Sequence, residues 1–238
     1  QAEACLWKAF YLYWIGQAGP SLRALRTALE QAERVDNKFV QAFSAWIEGW
    51  VNFDKNNHEK YQSLTRSWLE LMSKHTHPYN PAPSRQLYSA EYSYMLGLLD
   101  LKLGRKEAAE SRLKEMESLM PSIDLVFRSR LADSDYQIFK AEVELAEGSL
   151  AKAISTFEEK ILLEIPYMHS WLLLLYNTPH PRDVLARIFE KKGDFDSATA
   201  EYENLITFHP ESKNRRLIHP LFYYRSAKLY EQKGQTER

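Results

Sequence analysis

The side chains that could hold a metal ion or act as nucleophiles are few in this sequence and are not arranged for either task. His75 and His77 lie two residues apart in a proline-rich stretch, and Cys5 is the only cysteine. A zinc site needs about four such ligands in a tetrahedral arrangement. We therefore expect no metal site and two histidines in an exposed loop. Cys5 lies among apolar residues, which predicts a buried thiol without a reactive role.

Motifs for covalent catalysis and phosphate binding are missing from the sequence. There is no Gly-x-Ser-x-Gly elbow, and the most glycine-rich stretch, residues 16–20, lacks the Lys and the Ser or Thr of a P-loop. Neighbouring carboxylates such as Glu158 and Glu159 fall on the charged faces of helical patterns. The sequence therefore predicts a protein that is not an enzyme and that uses no cofactor.

Charge and cysteine content limit the partners and the compartment. Lys and Arg number 31 and Asp and Glu number 32, which leaves a formal net charge of −1. Such a chain lacks the bulk attraction to nucleic acid or to anionic membranes that a basic protein has. The richest apolar run, residues 171–176, is far shorter than the roughly 20 residues that cross a membrane. A single cysteine excludes an internal disulfide framework and suits the cytoplasm. We expect a partner that is neither nucleic acid nor membrane.

The elements that must position any functional residue are helices along almost the whole chain. Leu96, Leu99 and Leu103 are spaced by three and four residues, which places them on one helical face. Alternating patterns typical of strands do not extend over any useful length. The glycines and prolines fall between the apolar stripes, where helices begin or end.

A glycine-centred pattern repeats three times in the second half of the chain. Around Gly104, Gly148 and Gly193, a small residue lies seven positions before the glycine and an alanine lies five positions after it. A large apolar residue follows four positions later, and a proline closes the unit. The small residues let two antiparallel helices cross closely, and the glycine supplies a left-handed backbone at the end of the first helix. A fourth copy begins at Ala227 and Gly234.

This pattern resembles the tetratricopeptide repeat (TPR) family. The copy around Gly193 carries the family's small, aromatic and closing positions in order, at Leu185, Ala186, Phe189, Gly193, Asp194, Phe195, Ala198, Tyr202, Leu205 and Pro210. The resemblance runs from residue 89 to residue 238 and implies helix hairpins that stack because each leaves an apolar face open. The repeats here are 41 to 45 residues apart, whereas the family period is about 34. Longer HEAT repeats fit that spacing, but the order of glycine, alanine, aromatic residue and proline belongs to the TPR family.

The first third of the chain fits the pattern less well. Gly19 predicts the turn of a first hairpin, after a helix from Leu6 to Ile15. A second hairpin is predicted from residues 37–53 and 58–74, around a turn at residues 54–57 that has no glycine. Aromatic residues are concentrated here, and they can form either the core or an exposed groove for a partner. They are Trp7, Phe10, Tyr11, Tyr13, Trp14, Phe39, Phe43, Trp46, Trp50, Phe53 and Trp68.

We therefore predict an all-α fold, a right-handed α-solenoid of about five antiparallel helix hairpins and a final single helix. One helical-repeat domain spans residues 1–238, with divergent repeats in 1–76, a proline-rich loop at 77–84 and clearer repeats in 85–238. The residue pattern of the final helix predicts that a partner helix packs against it. We expect either that the sequence belongs to a longer polypeptide or that another chain, including a second copy, covers this helix.

The resemblance also implies where a partner binds, because the first helix of each TPR hairpin lines the concave surface. By position, the implied partner-binding residues are Tyr94, Leu98, Ile138, Arg187, Lys191, Tyr224, Arg225 and Lys228. The basic residues among them would attract an acidic peptide or a carboxylate terminus. Tyr94, Leu98, Ile138 and Glu142 stand where the chaperone-tail-binding members carry Lys and Asn, so the resemblance does not extend to that activity.

The predicted function is that of a non-catalytic interaction scaffold that binds a peptide or a helix of a partner protein in its groove. The alternative with the same fold is a regulatory or sensor segment of a larger bacterial signalling protein, such as a kinase, a cyclase or a transcription regulator. An enzyme would require a metal or a polar pocket at His75 and His77. RNA binding would require a continuous basic concave face, which the near-neutral charge disfavours.

Overall fold

The fold is all-α throughout the residues that the computed structural model describes, which are 1–74, 84–123, 132–160, 182–207 and 219–235. Side chains at 84, 134 and 157–160 are outside that description. The helices are α1 (Ala2–Trp14), α2 (Ala18–Arg34), α3 (Lys38–Asp54), α4 (His58–Lys74), α5 (Ser84–Lys102), α6 (Lys106–Leu119), α7 (Asp133–Glu147), α8 (Leu150–Lys160), α9 (Val184–Lys192), α10 (Phe195–Ile206) and α11 (Pro220–Gln232), with a short 3-10 helix at Met120–Ser122. Residues 75–83 of the predicted proline-rich stretch lie outside the described residues, and Ser84 belongs to α5 rather than to a loop.

In the described part of the chain, helices α1 to α10 form five hairpins in chain order, and α11 follows as a single helix, as predicted from the repeats. Within each hairpin the two helices are joined by a turn of two or three residues and pack on each other. The predicted handedness of the array stays a prediction. The chain divides into two compact units. Unit 1 comprises residues 1–13 and 17–133, and unit 2 comprises residues 14–16 and 134–238. The prediction of one continuous domain is not tested by this division.

One type of turn ends helices in both units. In each turn one residue has a positive φ, and these residues are Gly16, Asp36, Asn56, Gly104, Gly148, Gly193 and Gly234. The following N–H donates to the carbonyl five residues earlier, for example Asp194 N to Phe189 O at 2.9 Å. This is the Schellman motif, which satisfies carbonyls that the helix end would otherwise leave unpaired. Asp and Asn tolerate the left-handed backbone, so a turn without glycine still forms at Asn56.

The predicted turn of the first hairpin at Gly19 is wrong. The residue with positive φ is Gly16 (φ 79°), and Gly19 lies in the first turn of α2. Counted from Gly16, the repeat pattern is intact, because Ala9 lies seven residues before it and Ser21 five residues after it, and both are fully buried. The Ser21 hydroxyl donates to the Ala9 carbonyl at 2.7 Å. A small serine therefore replaces the expected alanine at the helix crossing.

The small residues of the later hairpins lie where the pattern places them. Ala109, Ala153 and Ala198 are fully buried on the second helices, and Ala141 and Ala186 are buried on the first helices opposite two of them. A larger side chain at any of these positions would separate the helix axes, which is why the pattern requires alanine.

The aromatic residues of the first third form the core of unit 1. Trp46, Trp50 and Trp68 are fully buried, and the Trp46 and Trp50 rings meet edge to face with centroids 6.1 Å apart. Tyr61, also buried, donates its hydroxyl to the Met95 carbonyl at 2.9 Å, which ties α4 to α5. The core interpretation is thus confirmed for these rings. The other buried aromatic side chains of unit 1 in this third are Phe10, Tyr13, Phe43 and Phe53, while Tyr11 is 55% exposed. Trp14 is also buried but belongs to unit 2.

Candidate partner-binding surface

Five side chains in unit 2 connect helices α7, α9, α10 and α11. We call this group the Asp183 cluster, and it consists of Glu142, Asp183, Arg187, Tyr202 and Arg225. Asp183, at the N-terminus of α9, is fully buried and accepts hydrogen bonds from Arg187 Nε at 3.0 Å and from the Tyr202 hydroxyl at 3.3 Å. Arg225 of α11 also pairs with Asp183. Glu142 of α7 pairs with Arg187 through both terminal nitrogens, with Nη1 at 3.0 Å from one carboxylate oxygen. Asp183 therefore has two guanidinium partners, and Glu142 has one.

Two members of the Asp183 cluster, Arg187 and Tyr202, have a raised pKa. Burial alone would lower the pKa of Arg187, but the adjacent Glu142 carboxylate outweighs it and raises that pKa. Burial also raises the pKa of Tyr202, and the nearby Glu190 carboxylate raises it further. Arg187 stays charged and Tyr202 stays a neutral phenol. The charged guanidinium and the neutral phenol can both donate hydrogen bonds.

The guanidinium groups of Arg187 and Arg225, predicted to face a partner, are paired with carboxylates within the chain. Their side chains still expose 26% and 32% of their surface. Sequence reasoning missed the pairing because it considered each helix separately. A signal was present, since Glu142 and Arg187 both lie six residues before a turn glycine, so opposite charges occupy equivalent positions of neighbouring first helices.

Lysines form a second kind of contact between successive first helices. Lys191 Nζ donates to the Leu145 carbonyl at 2.8 Å in unit 2, and Lys102 Nζ donates to the Phe53 carbonyl at 2.6 Å in unit 1. Each lysine lies two residues before its own turn glycine and reaches the last turn of the preceding first helix. The positive charge complements the helix C-terminus and satisfies a terminal carbonyl. Burial lowers the pKa of Lys102, and Asp54 partly opposes that effect.

Three of the predicted partner-binding residues are interior side chains in the structure. Tyr94, Leu98 and Ile138 are only 1%, 7% and 5% exposed. Tyr94 and Ile138 lie ten residues before a turn glycine, as Asp183 does. Leu98 lies six residues before one, as Arg187 does. In unit 2 these positions contact neighbouring hairpins, so they serve the stacking of hairpins more than an open surface.

The other predicted residues keep solvent-exposed surface. Lys191 and Lys228 are exposed, and Tyr224 is 58% exposed. Lys228 Nζ lies 5.0 Å from the centroid of the Tyr224 ring, a cation–π distance. The Tyr224 hydroxyl raises the pKa of Lys228. The exposed part of the predicted site is therefore basic and aromatic.

The described part of the chain also bears on the metal site, the buried thiol and the membrane-spanning helix that were considered from the sequence. No three His, Cys, Asp or Glu side chains in those residues are grouped to hold a metal ion. His75 and His77 lie outside the described residues. Cys5 is half-buried rather than buried as predicted. None of the described helices is both long and apolar enough to cross a bilayer.

Comparison with known proteins gives no relative, because no protein-family model matches the chain and no curated protein matches it significantly. The likeness to TPR proteins consequently rests on the spacing of residues around the turns and on the buried small residues at the helix crossings.

Proposed function

We propose that this protein is a non-catalytic, TPR-like interaction scaffold in which consecutive first helices hold a segment of a partner protein. The supporting observation is that α7, α9 and α11 are linked directly, through Glu142 with Arg187 and through Asp183 with Arg225. First helices in side-by-side contact offer one continuous surface, which an extended peptide or a helix can cross.

The chemistry of that surface favours an acidic segment. Lys191 is exposed, Arg187 lies one turn earlier on the same helix, and Arg225 lies on α11; both arginines keep about a third or less of their side-chain surface exposed. Both arginines are already paired with carboxylates within the chain. Their contribution to partner binding is therefore hydrogen-bond donors and contact surface more than unpaired positive charge. Charge of this kind sets the specificity and the rate of association more than the affinity.

A displayed library of peptides screened against the full chain tests the proposal. We expect acidic peptides to be selected, and we expect Lys191→Glu to weaken the selected peptides at least tenfold, a loss of about 1.4 kcal/mol. Lys152→Glu is the matched control, since Lys152 is an exposed lysine on the second helix α8. Equal affinities for the wild type and the Lys191 variant would contradict the proposed surface.

We further propose that the protein works in the cytoplasm. The single cysteine supports a reducing compartment. Fractionation of cells that carry a tagged full chain tests this, and recovery of the protein from an oxidising compartment would contradict it.

A further inference from the structure

We propose that a lysine two residues before a turn glycine couples its own hairpin to the turn of the preceding hairpin. Lys102 in unit 1 and Lys191 in unit 2 occupy this position. The ammonium of Lys102 donates to the Phe53 carbonyl at 2.6 Å, and that of Lys191 donates to the Leu145 carbonyl at 2.8 Å. Both carbonyls belong to the last turn of the preceding first helix, and we call this contact the turn clamp.

The carbonyl that accepts from the lysine also closes the preceding turn. The Phe53 carbonyl accepts the Asn56 N–H at 3.2 Å, and the Leu145 carbonyl accepts the Gly148 N–H at 3.1 Å. Asn56 and Gly148 are the residues with positive φ in these two turns. The ammonium therefore bonds to the turn itself as well as to the end of the helix.

The same two positions meet in a third interface with different chemistry. The Tyr13 hydroxyl donates to the Asp54 carboxylate at 3.2 Å. Tyr13 lies three residues before Gly16, as Phe53 lies before Asn56, and Asp54 lies two residues before Asn56. Contact between these positions therefore recurs although the side chains differ, so position in the repeat brings the two groups together.

A lysine at this position has a physical reason to bind the preceding turn. A helix C-terminus carries partial negative charge and unpaired carbonyls, which an ammonium stabilises. Lys102 Nζ also lies 4.1 Å from the centroid of the Phe53 ring, which adds a cation–π attraction. Because neighbouring repeats stabilise each other through such contacts, the opening of a turn should depend on the first helix of the following hairpin.

Hydrogen exchange of single amides, measured by NMR on the full chain, tests the proposal in unit 1. We expect Lys102→Met to speed exchange of the Asn56 amide at least fivefold, while the Gly148 amide of unit 2 stays within twofold of wild type. Lys102→Arg keeps a donor and should leave exchange at Asn56 within twofold. Lys106→Met is the matched control, because Lys106 is an exposed lysine at the start of α6. Circular dichroism verifies the fold of each variant.

An exchange of neighbouring residues separates the turn clamp from the effect of charge on α5 itself. The double variant Lys102→Leu with Leu103→Lys keeps the composition and the positive charge at the end of α5. We expect exchange at Asn56 to be as fast in this variant as in Lys102→Met. Wild-type exchange at Asn56 in either variant would overturn the proposal, and so would equally faster exchange in every helix of unit 1. None of these variants alters Lys191, so the outcome is independent of the proposed function.

Discussion

At the scale of single residues, Arg187 connects two neighbouring hairpins of unit 2. Its guanidinium contacts Glu142 of the preceding first helix and Asp183 at the start of its own helix. Asp183 is fully buried, and such a charge is tolerated only when it is paired and hydrogen-bonded. We therefore expect Arg187 to contribute to the stability of both hairpins that it connects.

Replacement of Arg187 by alanine is expected to lower the free energy of unfolding by about 3 kcal/mol, since Glu142 loses its guanidinium partner and Asp183 keeps only Arg225 and Tyr202. Urea unfolding followed by circular dichroism measures the change. Lys192→Ala serves as the control, because Lys192 is an exposed neighbour on α9. A loss no larger than that of the control would show that the cluster contributes little to stability.

Asp194 gives a prediction about pH. Its carboxylate accepts the Ser197 N–H at 3.1 Å and the Ser197 hydroxyl at 2.9 Å, and these bonds lower the pKa of Asp194. A lowered pKa in the folded state means that the stabilisation is complete above the ordinary aspartate pKa and is lost as the pH falls through the lowered value. The Tm of wild type should exceed that of Asp194→Ala at neutral pH, and the gap should close in acid.

Asp194→Asn separates the hydrogen bond from the titration. Asparagine still accepts the N–H at this N-cap but does not titrate, so the Tm difference between the Asn and Ala variants should change little with pH. If the Tm difference between wild type and Asp194→Ala stays constant from neutral to acidic pH, the carboxylate charge does not stabilise the start of α10.

How far the site could be predicted also differs from residue to residue. Of the predicted partner-binding residues, Lys191, Tyr224 and Lys228 are exposed. The prediction also selected Tyr94 and Ile138, which are buried, because a position in a repeat does not tell whether a neighbouring hairpin covers it. Burial of that kind depends on contacts between repeats, which one-helix periodicity cannot describe.

At the scale of elements, the hairpins were predictable where glycine occupies the turn and less so elsewhere. Gly104, Gly148 and Gly193 predicted three hairpins because only glycine adopts the left-handed backbone freely. The first turn was misplaced at Gly19 because Ser21 stands at the crossing position in place of alanine. A search for any small residue at that position would have found Gly16.

The turns themselves allow a paired test. Gly148 has a φ of 84° and Asn56 a φ of 57°. Gly148→Ala should destabilise the protein by about 1 kcal/mol, because a Cβ is unfavourable in the left-handed region. Asn56→Gly should be neutral or stabilising for the same reason. Chemical denaturation of both variants measures the difference, and a destabilising Asn56→Gly would mean that the asparagine side chain stabilises the turn.

Helix crossings allow a second comparison between equivalent positions. Ala186→Leu is expected to cost about 1–3 kcal/mol, because the added atoms force α9 and α10 apart. Ala227→Leu, at the equivalent position of α11, should cost little, since Ala227 is exposed. Thermal unfolding of the two variants measures the contrast. Equal losses of stability in the two variants would show that Ala227 is covered in solution.

At the scale of the whole molecule, stability is expected to be local. A stack of hairpins gains its energy from each repeat and from its nearest neighbours, so a change propagates only as far as the packing between neighbours carries it. Packing is concentrated within unit 1 and within unit 2. The two units therefore provide separate regions in which the effect of one substitution can be followed.

Ala198→Leu tests this locality directly. Ala198 is fully buried in the cluster that joins α9, α10 and α11, so the larger side chain should disrupt the packing of these three helices. Hydrogen exchange measured by mass spectrometry should show faster exchange in α9 to α11, while α3 and α4 keep their wild-type protection. Equal loss of protection in α3 and α4 would show that the chain unfolds as one cooperative body. Helical repeats would then be coupled far more strongly than nearest-neighbour packing predicts.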